Sequence, residues 1–304
     1  MNKNTQLLAT VAAFLSQTIF GFSFLFTKIA LKLASPFVVL ADRYLVAFLV
    51  MTLVVLLTKT KIRFSSRMWL LILMALFQPI LYFLFETYGI RMTTSSFSSV
   101  MIAMIPVVSM LSGIFFLKEI PSPIQYAFTA LSVLGVILMS LLGTHDGTVN
   151  PLGILLLLGA VLSSVAYNTV SRMLSEEYSP LERTYVMMVT GAIVFLGIAL
   201  WENRMNPMQI FQPFTIPAFR GGILYLGVVS SVIAFFLLNY ANTYLPVSKT
   251  TIFSNFTTVV SVLAGVIFLK EPFSILTFVA VIMIVAGVCG VQLQKVAKNS
   301  DKQA

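Results

Sequence analysis

Charged residues and metal-binding side chains are scarce in this sequence. Of its 304 residues, 10% are charged and 59% are hydrophobic, and the chain has one cysteine and one histidine. Soluble domains carry about 25% charged residues, so these few cannot cover a water-facing surface. The lone Cys289 excludes an internal disulfide, and the lone His145 excludes a cluster of His and Cys ligands around a metal ion. The sequence therefore predicts no metal site and no cofactor.

Apolar segments separated by short polar breaks account for most of the chain. Each is close to the roughly 20 residues that a helix needs to cross the hydrocarbon core, and none alternates apolar and polar residues as the strands of a membrane barrel do. Because backbone groups in lipid must be hydrogen-bonded internally, helices are the expected structure. We predict an all-α polytopic membrane protein with ten transmembrane helices. The segments are residues 7–30, 37–57, 68–90, 95–117, 123–142, 152–173, 181–201, 218–240, 247–269 and 274–294.

The net charge of +9 is distributed as in a membrane protein. If the N-terminus is cytoplasmic, twelve of the nineteen Lys and Arg residues fall on the inner side and seven on the outer side, as the positive-inside rule requires. The basic residues form no patch that would follow a phosphate backbone. We expect a multi-pass protein of the cell (inner) membrane, with cytoplasmic N- and C-termini and no nucleic-acid partner.

One segment occurs twice. VVSMLSGIFFLKE at 107–119 recurs as VVSVLAGVIFLKE at 259–271, with nine of thirteen positions identical at an offset of 152. A looser match at an offset of 144 pairs Lys28 with Arg172. Five predicted helices separate the copies, so the two copies would cross the membrane in opposite directions.

This repeat predicts two inverted five-helix halves. The first would span residues 1–145, and the second residues 146–304 with a short basic tail. Inverted repeats are typical of secondary transporters, whose substrate sites lie near the midplane between the halves. Exchanging the conformations of the two halves would convert an outward-open cavity into an inward-open one.

Small residues within both copies predict close helix packing. Ser109 and Gly113 lie one helical turn apart, as do Ser261 and Gly265. Lipid provides no hydrophobic drive between helices, so small residues that allow close backbone approach favour association. The Lys-Glu pairs that end both copies are expected to anchor the helices at the headgroups.

The order of motifs resembles the EamA family of the drug/metabolite transporter superfamily. The first half of the chain contains FTKIALKLASPFVVLADRYLVAFLV, then FETYGIRMTTSSFSSVMIAMIPVVSMLSGIFFLKE, then a fifth helix that contains glycine. The second half echoes this order. The second copy departs by having Thr258 where the first has Pro106. The resemblance implies ten helices in two inverted halves and secondary transport of small metabolites. It does not imply one substrate.

Polar and aromatic side chains recur along one face of several predicted helices. In the third segment, for example, such residues follow at intervals of four, as on one side of a helix. Polar side chains inside hydrocarbon should face protein or water, so we expect these faces to line a central substrate cavity. Interhelical contacts that only hold the bundle together stay open as an alternative for any single residue. The expected cavity residues are Gln17, Phe24, Gln78, Tyr82, Glu86, Tyr167, Asn168, Asn239, Tyr240 and Asn255.

Glu86 is the one acid inside an apolar helix and away from its end. It has two open interpretations: a structural ion pair with Lys28 or Arg43, or a gating or binding charge that a substrate amine or a proton neutralises. The expected gate and charge network is Lys28, Asp42, Arg43, Glu86 and Arg172.

These patterns favour a secondary active transporter, either an exporter or an exchanger, of small amphipathic metabolites such as amino acids or related amines. Its partners would be a small-molecule substrate and the lipid bilayer, and the protein would be a monomer or a homodimer. A membrane channel or a non-transporting scaffold stays open as an alternative. An intramembrane enzyme is less favoured, because the sequence offers no nucleophile–base pair and no catalytic residue is predicted.

Overall fold

The computed structural model describes residues 3–60, 62–63, 67–105, 107–108, 122–145, 149–245 and 253–293. The structure is 85% helical, and no strand occurs in these ranges. Among the residues described, six helices are long and apolar enough to cross a membrane. The fold class is therefore all-α, as the hydropathy pattern predicts, and the six long helices coincide with six of the predicted segments.

We number the described helices in chain order. The six long ones are α1, α2, α3, α6, α7 and α8. The bounds are α1 (Lys3–Ala30), α2 (Pro36–Leu57), α3 (Met68–Arg91), α4 (Ser95–Ile102), α5 (Pro123–His145), α6 (Pro151–Met173), α7 (Pro180–Glu202), α8 (Pro217–Tyr244), α9 (Ser254–Leu269) and α10 (Ile275–Leu293).

Helices α2 and α7 begin in the same way. Each starts with proline, whose fixed φ suits the first helical position, after a serine that caps the helix. The Ser35 hydroxyl accepts a hydrogen bond from Val38 N, and Ser179 forms a capping box with Glu182. The Ser-Pro dipeptides at offset 144 thus define equivalent helix starts in the two halves of the sequence.

The helices pack in pairs that the repeat relates to one another. Helix α2 packs on α7, α5 packs on α10, and α4 packs on α9. Helix α1 contacts α8 along its length, as α6 contacts α3. Large apolar side chains such as Leu57, Trp69 and Ile193 are exposed on the outside of the bundle, which is the surface that lipid covers in a multi-pass protein.

Helices α3 and α8 each contain a π-helical segment. In α3 it spans Leu76–Leu81, with Gln78 in a non-helical conformation (φ −148°, ψ 115°) just before Pro79. This agrees with the bend expected from that proline, which removes a backbone hydrogen bond. In α8 the π-helical segment spans Tyr225–Ala234. At an offset of 152 the α3 segment corresponds to residues 228–233, which lie entirely within it. Segments of this type occur frequently at functional sites.

Helix α9 crosses the first turn of α4 closely. The Ser261 hydroxyl donates to Ser95 O (3.3 Å), and a Cβ added to Gly265 would lie 2.6 Å from Ser96 Oγ. Small side chains on both helices permit this approach. The structure thus places Ser261 and Gly265 in a tight helix crossing, whereas Ser109 and Gly113 lie outside the described residues.

Candidate functional site

A cavity of about 60 Å³ lies in the middle of the bundle. Side chains of α1, α3, α6, α8 and α9 line it, together with Ile102 at the end of α4 and the residues just after it. Six of the predicted cavity residues are in this lining: Gln17, Phe24, Gln78, Tyr82, Glu86 and Asn168.

The polar part of the cavity centres on Glu86 of α3. Its carboxylate is 4% exposed and accepts a hydrogen bond from Tyr82 OH, one turn earlier (2.8 Å to Oε1). On another wall, the Thr257 hydroxyl is 2.8 Å from Gln17 O and 2.9 Å from Gln17 Oε1, which ties α9 to α1. Carboxylate, phenol and amide groups therefore face one space.

Aromatic rings form the apolar part of the cavity. The centroids of Phe20 and Phe235 are 5.1 Å apart, and Phe235 and Phe83 are 6.0 Å apart. The ring of Tyr82 lies edge-to-face against Phe83 at 4.8 Å. These edge-to-face arrangements are the favourable ones for aromatic rings, and they join the apolar wall directly to the tyrosine that holds Glu86.

Corresponding positions of the two halves of the sequence line the cavity together. Phe83, Phe235 and Thr257 were not among the predicted residues, and the repeat offsets applied to the predicted residues do not lead to them. Most of the lining residues fall into pairs separated by the offsets of the repeat. The pairs are Phe20 with Ser164 and Phe24 with Asn168 at an offset of 144, and Phe83 with Phe235, Glu86 with Leu238 and Ile105 with Thr257 at an offset of 152.

Three predicted cavity residues lie elsewhere. Tyr167 and Asn239 are fully buried outside the lining, and Tyr167 OH donates to Asn239 Oδ1 (3.0 Å). Tyr240 is half-buried and packs its ring on Tyr244 at 4.8 Å. The side chain of Asn255 is outside the described part of the structure. Tyr167 and Asn239 therefore make a contact between helices, which is the alternative to lining the cavity that the sequence left open.

A buried arginine that was not among the predicted site residues completes this polar network. Arg183 donates to Ser171 O and Oγ (2.8 Å each), Asn239 O (3.0 Å) and Thr243 Oγ1 (2.5 Å). It joins α6, α7 and α8, and its side chain is fully buried. A hydropathy profile places it one turn inside a helix start, where an exposed position would be expected, so only the helix packing reveals its role.

The predicted charge network does not assemble. Within the described residues, no nitrogen of Lys28 or Arg43 lies within ion-pair distance of the Glu86 carboxylate. Arg43 instead donates to Ser231 Oγ (2.8 Å) and Ser230 Oγ (3.2 Å). The Arg43 guanidinium also lies 4.1 Å from the centroid of the Phe83 ring, a cation–π contact.

The other members of that predicted network are separate from one another. Lys28 donates to the carbonyl oxygens of Ile90 and Thr93 at the end of α3. Arg172 donates to Asn242 O (2.8 Å) and Thr243 O (2.9 Å) at the end of α8. Cations stabilise the carbonyl ends of helices. Lys28 and Arg172 correspond at the offset of 144, so each half of the sequence supplies a cation for such a helix end. The Asp42 carboxylate is fully buried, with no hydrogen-bond partner for either oxygen among the described residues.

The sequence predicts that Glu271 anchors its helix at the headgroups, but the Glu271 carboxylate also binds the first turn of α4. One carboxylate oxygen accepts from Ser95 N (2.6 Å), and the other accepts from Ser96 N (2.9 Å) and Ser96 Oγ (2.5 Å). An acid at a helix N-terminus is favoured by the helix dipole. Together with Lys28, Glu271 fixes the turn between α3 and α4. We call this end of the bundle the packed end, since every residue of α4 from Ser95 to Ile102 is buried.

Comparison with known proteins assigns the chain to a family. The model of the EamA-like transporter family matches residues 7–141 and 151–293. The chain is a member of the EamA-like transporter family. This agrees with the resemblance drawn from its motifs, and it makes the protein a multi-pass membrane transporter.

Relatives of this EamA-like transporter occur in bacteria and archaea. It is 36% identical to the "Uncharacterized transporter YcxC" of Bacillus subtilis over 305 residues, which cover 98% of each chain. It is 24% identical over 280 residues to an "Uncharacterized transporter" of Archaeoglobus fulgidus, covering 90% of this chain and 95% of that one. A solved structure described only as a crystal structure of a protein is similar with a TM-score of 0.67 and 17% identity, over 94% of this chain and 98% of that one. At that identity the likeness concerns the fold alone.

Proposed function

We propose that this EamA-like transporter is a secondary active transporter, an exporter or exchanger, of small amphipathic metabolites such as amino acids or related amines. It would work by alternating access to the central cavity. The observation that carries the proposal is the lining of that cavity by paired positions of both halves of the sequence. A site shared by two related halves can face either side of the membrane when the halves exchange conformations.

The proposed architecture is ten transmembrane helices in two inverted repeats, residues 1–145 and 146–304. Three features support it: the π-helical segments of α3 and α8 at corresponding positions, the equivalent contacts of Lys28 and Arg172 at helix ends, and the pairing of α2 with α7 and of α5 with α10. Each relates one half of the sequence to the other.

We place both termini in the cytoplasm of a cell (inner) membrane, which makes the packed end the outer one. The support is the excess of Lys and Arg on the inner side under that orientation. The bundle would then hold its outer end shut through Glu271 and Lys28 in the conformation described here.

The chemistry of the cavity supports an amphipathic substrate. Aromatic rings form one wall, amide and hydroxyl groups another, and Glu86 supplies one carboxylate. No Lys, Arg or His occurs among the lining residues that the structure describes, so the cavity lacks the cationic groups that bind phosphate esters.

The experiment that tests this function has two steps. Purified protein is screened by thermal shift against amino acids, amines and nucleosides, and compounds that raise the Tm are then tested for counterflow in proteoliposomes. We expect an internal excess of unlabelled compound to drive transient accumulation of labelled compound. A flux that shows no saturation and no counterflow would indicate a channel and contradict the proposal. A stabilising compound that is converted to a product would indicate an enzyme.

A further inference from the structure

We propose that the cavity selects organic cations, with Glu86 as the counter-ion for the ammonium group, and disfavours molecules that also carry a carboxylate. This inference rests on the proposed function, because it specifies the substrate class of the same cavity. It separates amines from amino acids, which the proposed function leaves together.

The first argument is that the Glu86 carboxylate lacks a cationic partner. In the described structure its one hydrogen-bond donor is the neutral phenol of Tyr82. A buried carboxylate is costly unless it is paired as well as hydrogen-bonded. An ammonium group in the cavity would supply the missing positive charge beside Oε1 and Oε2.

The second argument is that the nearby protein cations are bound to other groups. Lys28 is held by the carbonyl oxygens at the end of α3. Arg43 interacts electrostatically with Glu86, but no Arg43 nitrogen lies within ion-pair distance, and its guanidinium is bound by Ser230, Ser231 and the Phe83 ring. Neither cation lines the cavity. A ligand cation therefore has direct access to Glu86, whereas the protein cations do not reach it.

The third argument concerns the rest of the ligand. The position that corresponds to Glu86 in the second half is Leu238, and both line the cavity. The second half therefore adds no carboxylate at this position, and the rings of Phe20 and Phe235 form an apolar wall of the cavity. A hydrocarbon or aromatic group fits there, and aromatic faces also attract cations. The carboxylate of an amino acid would meet amide and hydroxyl groups but no cation in this lining, so its charge would stay without a counter-ion, which is unfavourable in a buried site.

Three ligands that share a phenylethyl group test the inference: phenethylamine, L-phenylalanine and 2-phenylethanol. They differ in carrying an ammonium group, an ammonium group with a carboxylate, and a hydroxyl group. Affinities are measured by calorimetry on wild-type protein in lipid nanodiscs. We expect phenethylamine to bind at least about tenfold more tightly than either of the others, since one buried charge pair is worth more than a factor of ten.

The variant Glu86→Gln then removes the counter-ion while keeping the size of the side chain. We expect the advantage of phenethylamine over 2-phenylethanol to disappear in it. Glu176→Gln makes the same chemical change at an exposed position and should keep the wild-type ratio. The wild-type comparison needs no variant, so the test stands even if Glu86→Gln folds poorly.

Each remaining outcome decides the inference. Equal or tighter binding of L-phenylalanine, an unchanged ratio in a folded Glu86→Gln protein, or no binding of any of the three ligands overturns it. Counterflow of an amino acid by a protein without amine preference would retain the proposed function and reject this inference. Amine selectivity without counterflow would retain the inference and reject transport.

Discussion

Replacing Glu271 by glutamine tests how the packed end is held together. The carboxylate accepts three hydrogen bonds from the first turn of α4, two from backbone N–H groups of Ser95 and Ser96 and one from the Ser96 hydroxyl. Glutamine has nearly the same shape, but it carries no charge, and only one of its two terminal atoms can accept. At least one of these hydrogen bonds must therefore be lost.

The magnitude follows from these contacts. A hydrogen bond to a charged group contributes about 1.5–3 kcal/mol, and a negative charge at a helix N-terminus adds about 0.3–1 kcal/mol. Glu271 is only half-buried, so solvent screening favours the low end of the sum. We expect the packed arrangement to lose about 2 kcal/mol, which increases the population of the open arrangement roughly 30-fold.

The assay is the labelling rate of a cysteine behind the packed end. Thr27→Cys, in a Cys289→Ser background, places a thiol at a position that is 2% exposed. A membrane-impermeant maleimide added from the side of the packed end should label it about 30-fold faster when Glu271→Gln is present. Glu202→Gln, an exposed acid at the same end, is the matched control and should leave the rate unchanged. Equal rates in Glu271→Gln and its parent would refute the reasoning.

Two further predictions concern stability and are checked by the Tm of purified protein. Gly265→Ala should destabilise the packed end by about 1–3 kcal/mol, because the new Cβ would meet Glu271 Oε2 and, at 2.6 Å, Ser96 Oγ of the crossing helix. Gly197→Ala, where no atom lies within 4 Å, should be neutral or stabilising, and an equal Tm for both variants would contradict this packing. Arg183→Met should destabilise by about 2–4 kcal/mol, because it removes the buried hydrogen bonds that Arg183 donates to Ser171, Asn239 and Thr243. The exposed Arg220→Met should stay within about 0.5 kcal/mol of wild type, and a similar value for Arg183→Met would show that the network contributes little.

The course of the long helices could be predicted from the sequence because it follows from local properties. Hydropathy alone sets the length of a membrane-crossing segment, and the Ser-Pro dipeptides mark helix starts by their own backbone preferences. The bend at Pro79 follows in the same way. The π-helical segment of α8 contains no proline, so it could be anticipated only by transferring that of α3 through the repeat.

The candidate site could be predicted only in part, because side-chain surroundings depend on how each helix is rotated against its neighbours. Gln78, Tyr82 and Glu86 share one face of one helix, so the prediction for any one of them holds for all three. Tyr167 is adjacent to Asn168 in the chain and points into a different environment, about 100° around α6. The docking of Glu271 on α4 joins residues 175 or more positions apart, and no local pattern records it.

The opposite orientation of the two halves is the claim on which the cavity, the repeat and the transport cycle all depend. Lys32 and Glu176 correspond at the offset of 144, and both are exposed near the ends of α1 and α6. Each is replaced by cysteine in a Cys289→Ser background and labelled with an impermeant maleimide in intact cells and in inverted membrane vesicles. The account predicts that Lys32→Cys is labelled only in intact cells and Glu176→Cys only in inverted vesicles. Labelling of both cysteines from the same side of the membrane would contradict it.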